Sequence, residues 1–300
     1  MDVFCSTIIP TINRSTLSRA VYSVLEQDFT ESEFEVIVVN DSGEPLPVAS
    51  WQQEQRVRVI DTPRLERSIA RNAGAVIARG RYLHFLDDDD LLLPGGLEAF
   101  WKLHHEASDA AWLYGSYKTV NNEGKMIEEI HPEISGNIFA LLVSSEAIPL
   151  QASLIRADHF FAAGGFDPFI IGVEDRDLGR RIALSGSVVY MATLVARIRI
   201  GEYGSTTRWP ILIEDDRRTR EKALSAQNAL ERLRESANSG YWRGRVCRAY
   251  LGSTAWNLRH KRILTAIGRF CASLAFANWH TLSTDFWRGL GTRIDCWPKT

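Results

Sequence analysis

The stretch Tyr82-Leu83-His84-Phe85-Leu86-Asp87-Asp88-Asp89-Asp90 decides the fold. A short apolar run, of the kind that makes a strand buried on both faces, stops at four consecutive carboxylates. Two unit charges about 4 Å apart repel by roughly 1 kcal/mol in water and about 4 kcal/mol at an effective dielectric of 20, so a cation is expected beside the run. Working outward, Val3 to Ile9, Phe34 to Val39 and Val57 to Ile60 have the same short, β-branched character. Helical periods lie between them. Ser15 is expected to cap a helix bearing Leu17, Ala20, Val21, Val24 and Leu25, and a second helix is expected from about Leu65 to Ala78, ended by Gly80. The βαβα alternation predicts an α/β fold: a mainly parallel sheet flanked by helices, with ligands at the carboxyl ends of the strands. Three polar clusters fall at such ends: Pro10-Thr11, Asn40-Asp41, and Asp87 to Asp90.

With 300 residues, 45% of them hydrophobic, the chain can bury a full core as one large domain or one domain plus an appendage. No uninterrupted apolar window of about 18 residues occurs, and Met1-Asp2-Val3-Phe4 lacks a basic signal-like start, so a cytoplasmic protein is expected. Cys5, Cys247, Cys271 and Cys296 are far apart and form no C-x-x-C pair, which argues against structural zinc and a disulfide framework. The net charge of −2 conceals a division. Residues 1–216 carry 19 Lys and Arg against 32 Asp and Glu, whereas residues 217–300 carry 16 against 5. The basic part also holds Trp242, Trp256, Trp279, Trp287 and Trp297. Two readings suit it: helices lying on an anionic membrane surface, or a helical cap packed on the acidic domain. No nucleic-acid partner is expected.

An aspartate after one strand is commonly a turn former or helix cap, but three polar clusters at one sheet edge point to a site. Asp41 could accept hydrogen bonds from a base or ribose. The carboxylates of the acidic run could hold Mg²⁺ or Mn²⁺, which such sites bind through one or two carboxylates plus substrate phosphates. Arg71 is a candidate for the nucleotide. The chain has no G-x-x-x-x-G-K-[ST] loop, no G-x-G-x-x-G opening a helix after the first strand, and no calcium-loop spacing.

Taken in order, the series Ile8-Ile9-Pro10-Thr11-Ile12-Asn13-Arg14, Val38-Val39-Asn40-Asp41-Ser42-Gly43, Ala70-Arg71-Asn72-Ala73-Gly74, the acidic run, Gly164-Gly165-Phe166-Asp167 and Glu174-Asp175-Arg176-Asp177-Leu178 resembles the family 2 glycosyltransferases of GT-A fold. The likeness covers about residues 3 to 205. It implies a Rossmann-like catalytic domain over 1–213 with a basic helical C-terminal extension over 214–300. It also implies inverting transfer of a sugar from a nucleoside diphosphate donor, of which uridine diphosphate sugars are the commonest, to a hydroxyl acceptor such as a saccharide or lipid-linked glycan of an envelope polysaccharide. By the same resemblance, Thr11 and Asp41 would hold the base, within a nucleotide-binding set of Pro10, Thr11, Asn13, Arg14, Asp41, Arg71, Asp87 and Asp88. Asp87 would face the ribose, while Asp88 fills the family's variable position and is expected to be a bystander. Asp89 would be the main metal ligand with Asp90 in support. Asp175 would take the proton from the attacking hydroxyl, with Glu174 in reserve.

The chain departs from the family in one segment. Where many relatives carry a histidine near the metal or diphosphate, it reads Ala196-Arg197-Ile198-Arg199-Ile200-Gly201-Glu202-Tyr203-Gly204-Ser205, leaving Arg197, Arg199 or Arg208 as unassigned candidates. Two other classes compete with the transferase. One is a catalytically silent nucleotide-sugar-binding module. The other is a metal-dependent phosphatase, disfavoured because Leu91-Leu92-Leu93 follows the acidic run where a hydroxyl residue is needed. Beyond Ile213, helices are expected over Thr219 to Glu235, interrupted at Gly240, then about Arg243 to Leu258 and Arg262 to Ala275. Ile263, Ala266, Ile267, Phe270 and Leu274 fall on one helical face, and core packing is its commoner use.

Overall fold

The computed structural model describes residues 3–64, 66–144, 146–201, 209–236 and 240–291. Its strands are β1 (Val3–Thr11), β2 (Glu33–Asn40), β3 (Val57–Asp61), β4 (Tyr82–Phe85), β5 (Leu91–Leu92), β6 (Trp112–Val120), β7 (Met126–Ile130), β8 (Ser153–Arg156) and β9 (Val188–Arg199). Its helices are α1 (Leu17–Leu25), α2 (Arg67–Ile77), α3 (Gly96–Glu106), α4 (Phe139–Val143), α5 (Ala157–Ala162), α6 (Glu174–Ala183), α7 (Trp209–Leu224), α8 (Ala229–Ser236), α9 (Gly240–Arg259), α10 (Ile263–Ala277) and α11 (Thr284–Gly291).

The described residues divide into two compact units. One contains 1–135, 148–169 and 186–207, and the other contains 136–147, 170–185 and 208–300. This division by packing does not coincide with the boundary placed at residue 213 from the sequence, because two earlier segments join the C-terminal helices.

In the first unit the sheet runs β3-β2-β1-β4-β8-β6-β9-β5, with β7 added to β6. Strands β3, β2, β1 and β4 are parallel, as the alternating sequence requires, whereas β8 is antiparallel to both β4 and β6. The core beneath α1 and α3 gathers Phe4, Ile9, Val21, Val24, Val36, Trp51 and Phe100. A fully buried aliphatic or aromatic side chain of this size contributes about 1.5–3 kcal/mol. Pairing of β1 with β2 continues to Thr11 and Asn40, but pairing of β1 with β4 stops at Ile8 and Phe85. The chain therefore splays open between β1 and β4 at their carboxyl ends. That is the switch point of a 3-2-1-4 strand order, where open α/β sheets bind ligands.

Three local expectations change. Ser15 does not cap α1: Thr16 occupies the N-cap position, in helical conformation, with no side-chain cap bond. Gly80 does not end α2, which stops at Ile77 as Ala78 turns extended. Gly80 instead passes so close to Ser6 that a Cβ would collide with the β1 backbone, and its N–H donates to Ser6 Oγ at 2.8 Å. The helical run expected over Thr219 to Glu235 is broken into α7 and α8, with the polar turn fixed by Ser225 Oγ donating to the Glu221 carbonyl and Asn228 Nδ2 donating to the Leu184 carbonyl.

The second unit is held by a buried ionic cluster. Arg180, wholly buried, donates to the Leu142 carbonyl at 3.0 Å, to Thr219 Oγ1 at 2.7 Å and to Asp216 Oδ1 at 2.7 Å. The interruption expected at Gly240 falls between α8 and α9, with Gly240 itself starting α9. Gly244 of α9 and Gly289 of α11 let the two helices meet backbone to backbone, since a Cβ at either would strike a carbonyl of the other helix. Cys5 and Cys247 are buried free thiols and Cys271 is an exposed one; Cys296 lies outside the described residues. Among the described residues no helix is long and apolar enough to cross a membrane.

Candidate functional site

A cleft of about 460 Å³ opens where β1 and β4 part. Its wall includes Pro10, Thr11, Arg14 and Asp41 from the ends of β1 and β2, all four aspartates of the acidic run, and Arg67, Gln151 and Arg199. Pro10 fits inside β1 because the ladder to β4 has already ended at Ile8. Asn13 turns the chain out of β1 with φ +68°, a left-handed conformation that asparagine tolerates, and its N–H donates to Thr11 Oγ1 at 2.9 Å.

The four aspartates have four different surroundings. Asp87 accepts from Arg71 Nη2 at 2.6 Å and from Gln151 Nε2 at 3.0 Å. Burial pushes its carboxyl up, but the guanidinium groups of Arg71 above all, with Arg67 and Arg14, together hold it below the ordinary carboxylate range. Asp88 is buried, accepting the Thr11 hydroxyl at 2.5 Å and Arg14 Nη1 at 2.6 Å. It ties the acidic loop beyond β4 to Thr11 and Arg14 at and after the end of β1, so it is a structural tie rather than the expected bystander. Asp89 is partly exposed to the cleft, with Arg14 at 3.5 Å. Burial together with Asp87 and Asp88 raises its pKa against the opposing pull of Arg14. Asp90 is buried and accepts the Arg199 N–H at 2.7 Å. Burial first, then the Asp87 charge, pushes it well above the ordinary range.

Arg71 is not an exposed helix arginine. It is 3% exposed, stands behind Asp87 and lies over the Phe166 ring, 5.4 Å from its centroid. The neighbouring Asn72 holds Phe166 from both sides: Nδ2 donates to the Phe166 carbonyl at 2.8 Å, and the Phe166 N–H donates to Oδ1 at 2.9 Å. The Ala70-Arg71-Asn72-Ala73-Gly74 and Gly164-Gly165-Phe166-Asp167 motifs are thereby explained as one support for Asp87. Asp41, in the cleft wall, accepts the Thr62 hydroxyl at 2.7 Å and the Glu66 N–H at 3.1 Å. His84, within β4, is buried between Thr7 Oγ1 and the Gln151 carbonyl; burial lowers its pKa to about 4 against that carbonyl, so it stays neutral.

Glu174 and Asp175 belong to the second unit, in the first turn of α6. Glu174 is buried, and Asp175 Oδ1 accepts the Arg176 N–H at 2.7 Å. Asp177 and Arg181 of the same helix pair at 2.6 Å. Of the basic residues weighed in place of the missing histidine, Arg199 lies in the cleft wall and Arg208 lies outside the described residues, as does Glu202 to Ser205. Gln151, Arg67 and the Arg199 amide were not foreseen as site groups. Gln151 follows the proline of Ile148-Pro149-Leu150, and only the antiparallel insertion of β8 beside β4 brings it to Asp87.

No group of three or more potential ligand side chains gathers around a single point among the described residues. A hard divalent cation does not require one, since it can be held by one or two carboxylates with the remaining positions filled by substrate oxygens and water. Asp89, partly exposed to the cleft, and Asp90, in its wall, suit that role.

The sequence profile described as Glycosyl transferase family 2 matches residues 6–157. An uncharacterized glycosyltransferase of Rickettsia felis is 29% identical over 204 residues, covering 66% of this chain and 33% of its own length. The poly(ribitol-phosphate) β-N-acetylglucosaminyltransferase TarP of Staphylococcus aureus is 27% identical over 178 residues, covering 57% of this chain and 50% of its own length. The chain thus spans a third to a half of the length of these curated relatives. Among solved structures, S. aureus TarS 1-349 in complex with UDP-GlcNAc superposes with a TM-score of 0.63 at 15% identity, covering 97% of this chain and 93% of that one. At that identity the likeness establishes the fold.

Proposed function

Because the chain belongs to glycosyltransferase family 2, we propose that it transfers a sugar, with inversion, from a nucleoside diphosphate sugar to an acceptor hydroxyl. The observation that carries this reading is the cleft between β1 and β4, in which carboxylates and guanidinium groups face one another at the carboxyl edge of a parallel sheet. Arg14, half exposed and kept charged by Asp88 and Asp89 despite the opposing effect of burial, would help to neutralise a diphosphate. Arg67 and Arg199 line the same wall. Asp41 would accept from the base, and Asp87, held by Arg71 and Gln151, from the ribose. Asp89 and Asp90 would hold Mg²⁺ or Mn²⁺, which when bound supplies Lewis-acid charge opposite the departing diphosphate.

The proton of the attacking hydroxyl needs a carboxylate acceptor as the new bond forms. Asp175 is assigned that role, with Glu174 in reserve, on the strength of the family motif. A uridine diphosphate sugar is the proposed donor, in line with the UDP-GlcNAc bound by the TarS fold relative. A saccharide or lipid-linked glycan of an envelope polysaccharide is the proposed acceptor class on the strength of the family resemblance; the relative TarP is named for another hydroxyl-bearing polymer, poly(ribitol-phosphate). The test is release of free nucleoside diphosphate from a panel of sugar donors with Mn²⁺ and acceptor present. Wild-type release that is lost in Asp89→Ala and in Asp175→Ala supports the assignment. Loss in Asp89→Ala alone would remove Asp175 as the base.

A further inference from the structure

Helix α10 carries apolar side chains on two faces. Ala266 and Phe276 are buried within the second unit, Cys247 Sγ of α9 donates to the buried Ser273 carbonyl, and Arg269 reaches Glu221 of α7 at 2.6 Å. At about 100° per residue, these positions define the inward face. Ile263, Leu264, Ile267, Phe270 and Leu274 fall on another stripe, and all five are exposed, Leu264 to 87% and Leu274 to 58%. The sequence stripe is therefore split: Ala266 turns inward, and the other four of its members do not enter the core. The turn after α10 and then α11 add Trp279, Leu282 and Trp287, exposed to 67%, 89% and 57%. The outer stripe of α10 holds no charge, because Arg269, the one charged residue of the helix, is committed to the other side.

We propose that this face is a docking surface for an anionic lipid bilayer. Charge selects this occupant. From Arg259 to Gly291, apart from the committed Arg269, the chain has four Lys and Arg against a single acid, Asp285, and the exposed Arg259, Lys261 and Arg262 immediately precede the apolar stripe. A second copy docked here would set the same cation-rich surface against itself, with only Asp285 to offset it. A lipid surface meets every part of the face. Aliphatic side chains enter the boundary between headgroups and acyl chains, tryptophans suit the headgroup level, and Lys and Arg meet lipid phosphates. The stripe is too short to span a bilayer and lies along a helix of the folded unit, so the contact is peripheral.

Flotation of the full chain with vesicles tests this. Binding is expected to phosphatidylcholine vesicles containing phosphatidylglycerol, about tenfold or more weaker to pure phosphatidylcholine, and weakened by salt. The double substitution Leu264→Glu with Phe270→Glu, at exposed positions, should reduce binding by about tenfold or more while leaving the melting temperature unchanged. Arg259→Glu with Lys261→Glu should weaken binding to the anionic vesicles alone. Asp89→Asn should bind vesicles like wild type, which separates this surface from the donor cleft. The proposal is overturned if wild type does not float, or if the Leu264→Glu/Phe270→Glu chain floats equally well. It is also overturned if light scattering shows a dimer that this double variant dissolves, because the face then belongs to a second copy.

Discussion

Asp87 to Asp90 in the first unit and Asp215-Asp216 in the second are both runs of adjacent carboxylates, and the fold treats them in opposite ways. Asp216 is buried and faces three guanidinium groups: Arg180 at 2.7 Å, Arg176 at 3.6 Å, and Arg220 through a short ion pair. Burial alone would raise its pKa, yet Arg180 and Arg220 hold it far below the ordinary carboxylate range. In the acidic run, Asp87 and Asp88 are paired with Arg71 and Arg14, while Asp89 and Asp90 are pushed up by burial and by their acidic neighbours. A carboxylate cluster that the protein neutralises from within is a structural fastening. The acidic run lines an open cleft instead, and it is there that the proposed cation would sit.

The largest effect expected from this contrast is on stability. Arg180→Met should cost about 3–5 kcal/mol in chemical denaturation, because it leaves Asp216 buried with part of its compensation removed. A loss below about 1 kcal/mol, the scale of an exposed pair, would break the contrast. Next in size is stabilisation by metal. Mn²⁺ at about a hundred times its dissociation constant should stabilise the folded chain by roughly 2.7 kcal/mol, and Asp89→Asn should abolish that shift, read by thermal melting with and without chelator. An unaltered shift in the variant would place the cation elsewhere.

The smallest effect is in the sign of a pH slope, measured without metal. A carboxyl raised in the folded state binds more protons folded than unfolded, so its contribution to stability falls as pH rises from the ordinary carboxylate value through the raised one. Asp89→Asn should therefore be as stable as wild type or slightly more so above that window, within about 0.5 kcal/mol, with the advantage vanishing in acid. Asp216 behaves in the opposite sense. Its depressed pKa contributes stability that is present above the unfolded value and lost as pH falls, so the penalty of Asp216→Asn should shrink toward low pH. Parallel slopes for the two variants would erase the distinction.

What the sequence discloses follows from the range of the forces involved. Strands β1 to β4 are legible because burial on both faces demands short runs such as Phe34 to Val39, and the acidic run is legible because nothing local explains four carboxylates. The order of the later strands is not legible. The insertion of antiparallel β8 between β4 and β6 depends on pairings such as Leu83 with Ile155, remote in the chain. Gln151 is hidden for that reason, as is the Arg199 amide, which reaches Asp90 only because β9 passes beside β5. Gly80 misled because a close approach to Ser6 leaves no mark distinguishable from a helix stop. Ala266 shares a sequence stripe with Ile263, Ile267, Phe270 and Leu274, which stay exposed while it packs inward, because a small residue fits either face of a helix with apolar side chains on both.

The central claim is that the carboxylates of the β1–β4 cleft serve a nucleoside diphosphate sugar through a bound cation. The direct measurement is nucleoside diphosphate release from a panel of sugar donors by wild type and by Asp89→Asn, each with Mn²⁺ and with chelator. The account predicts release by wild type with Mn²⁺ and its loss both in chelator and in the variant. Release by Asp89→Asn equal to wild type, or a wild-type chain that turns over no donor in the panel, would contradict it.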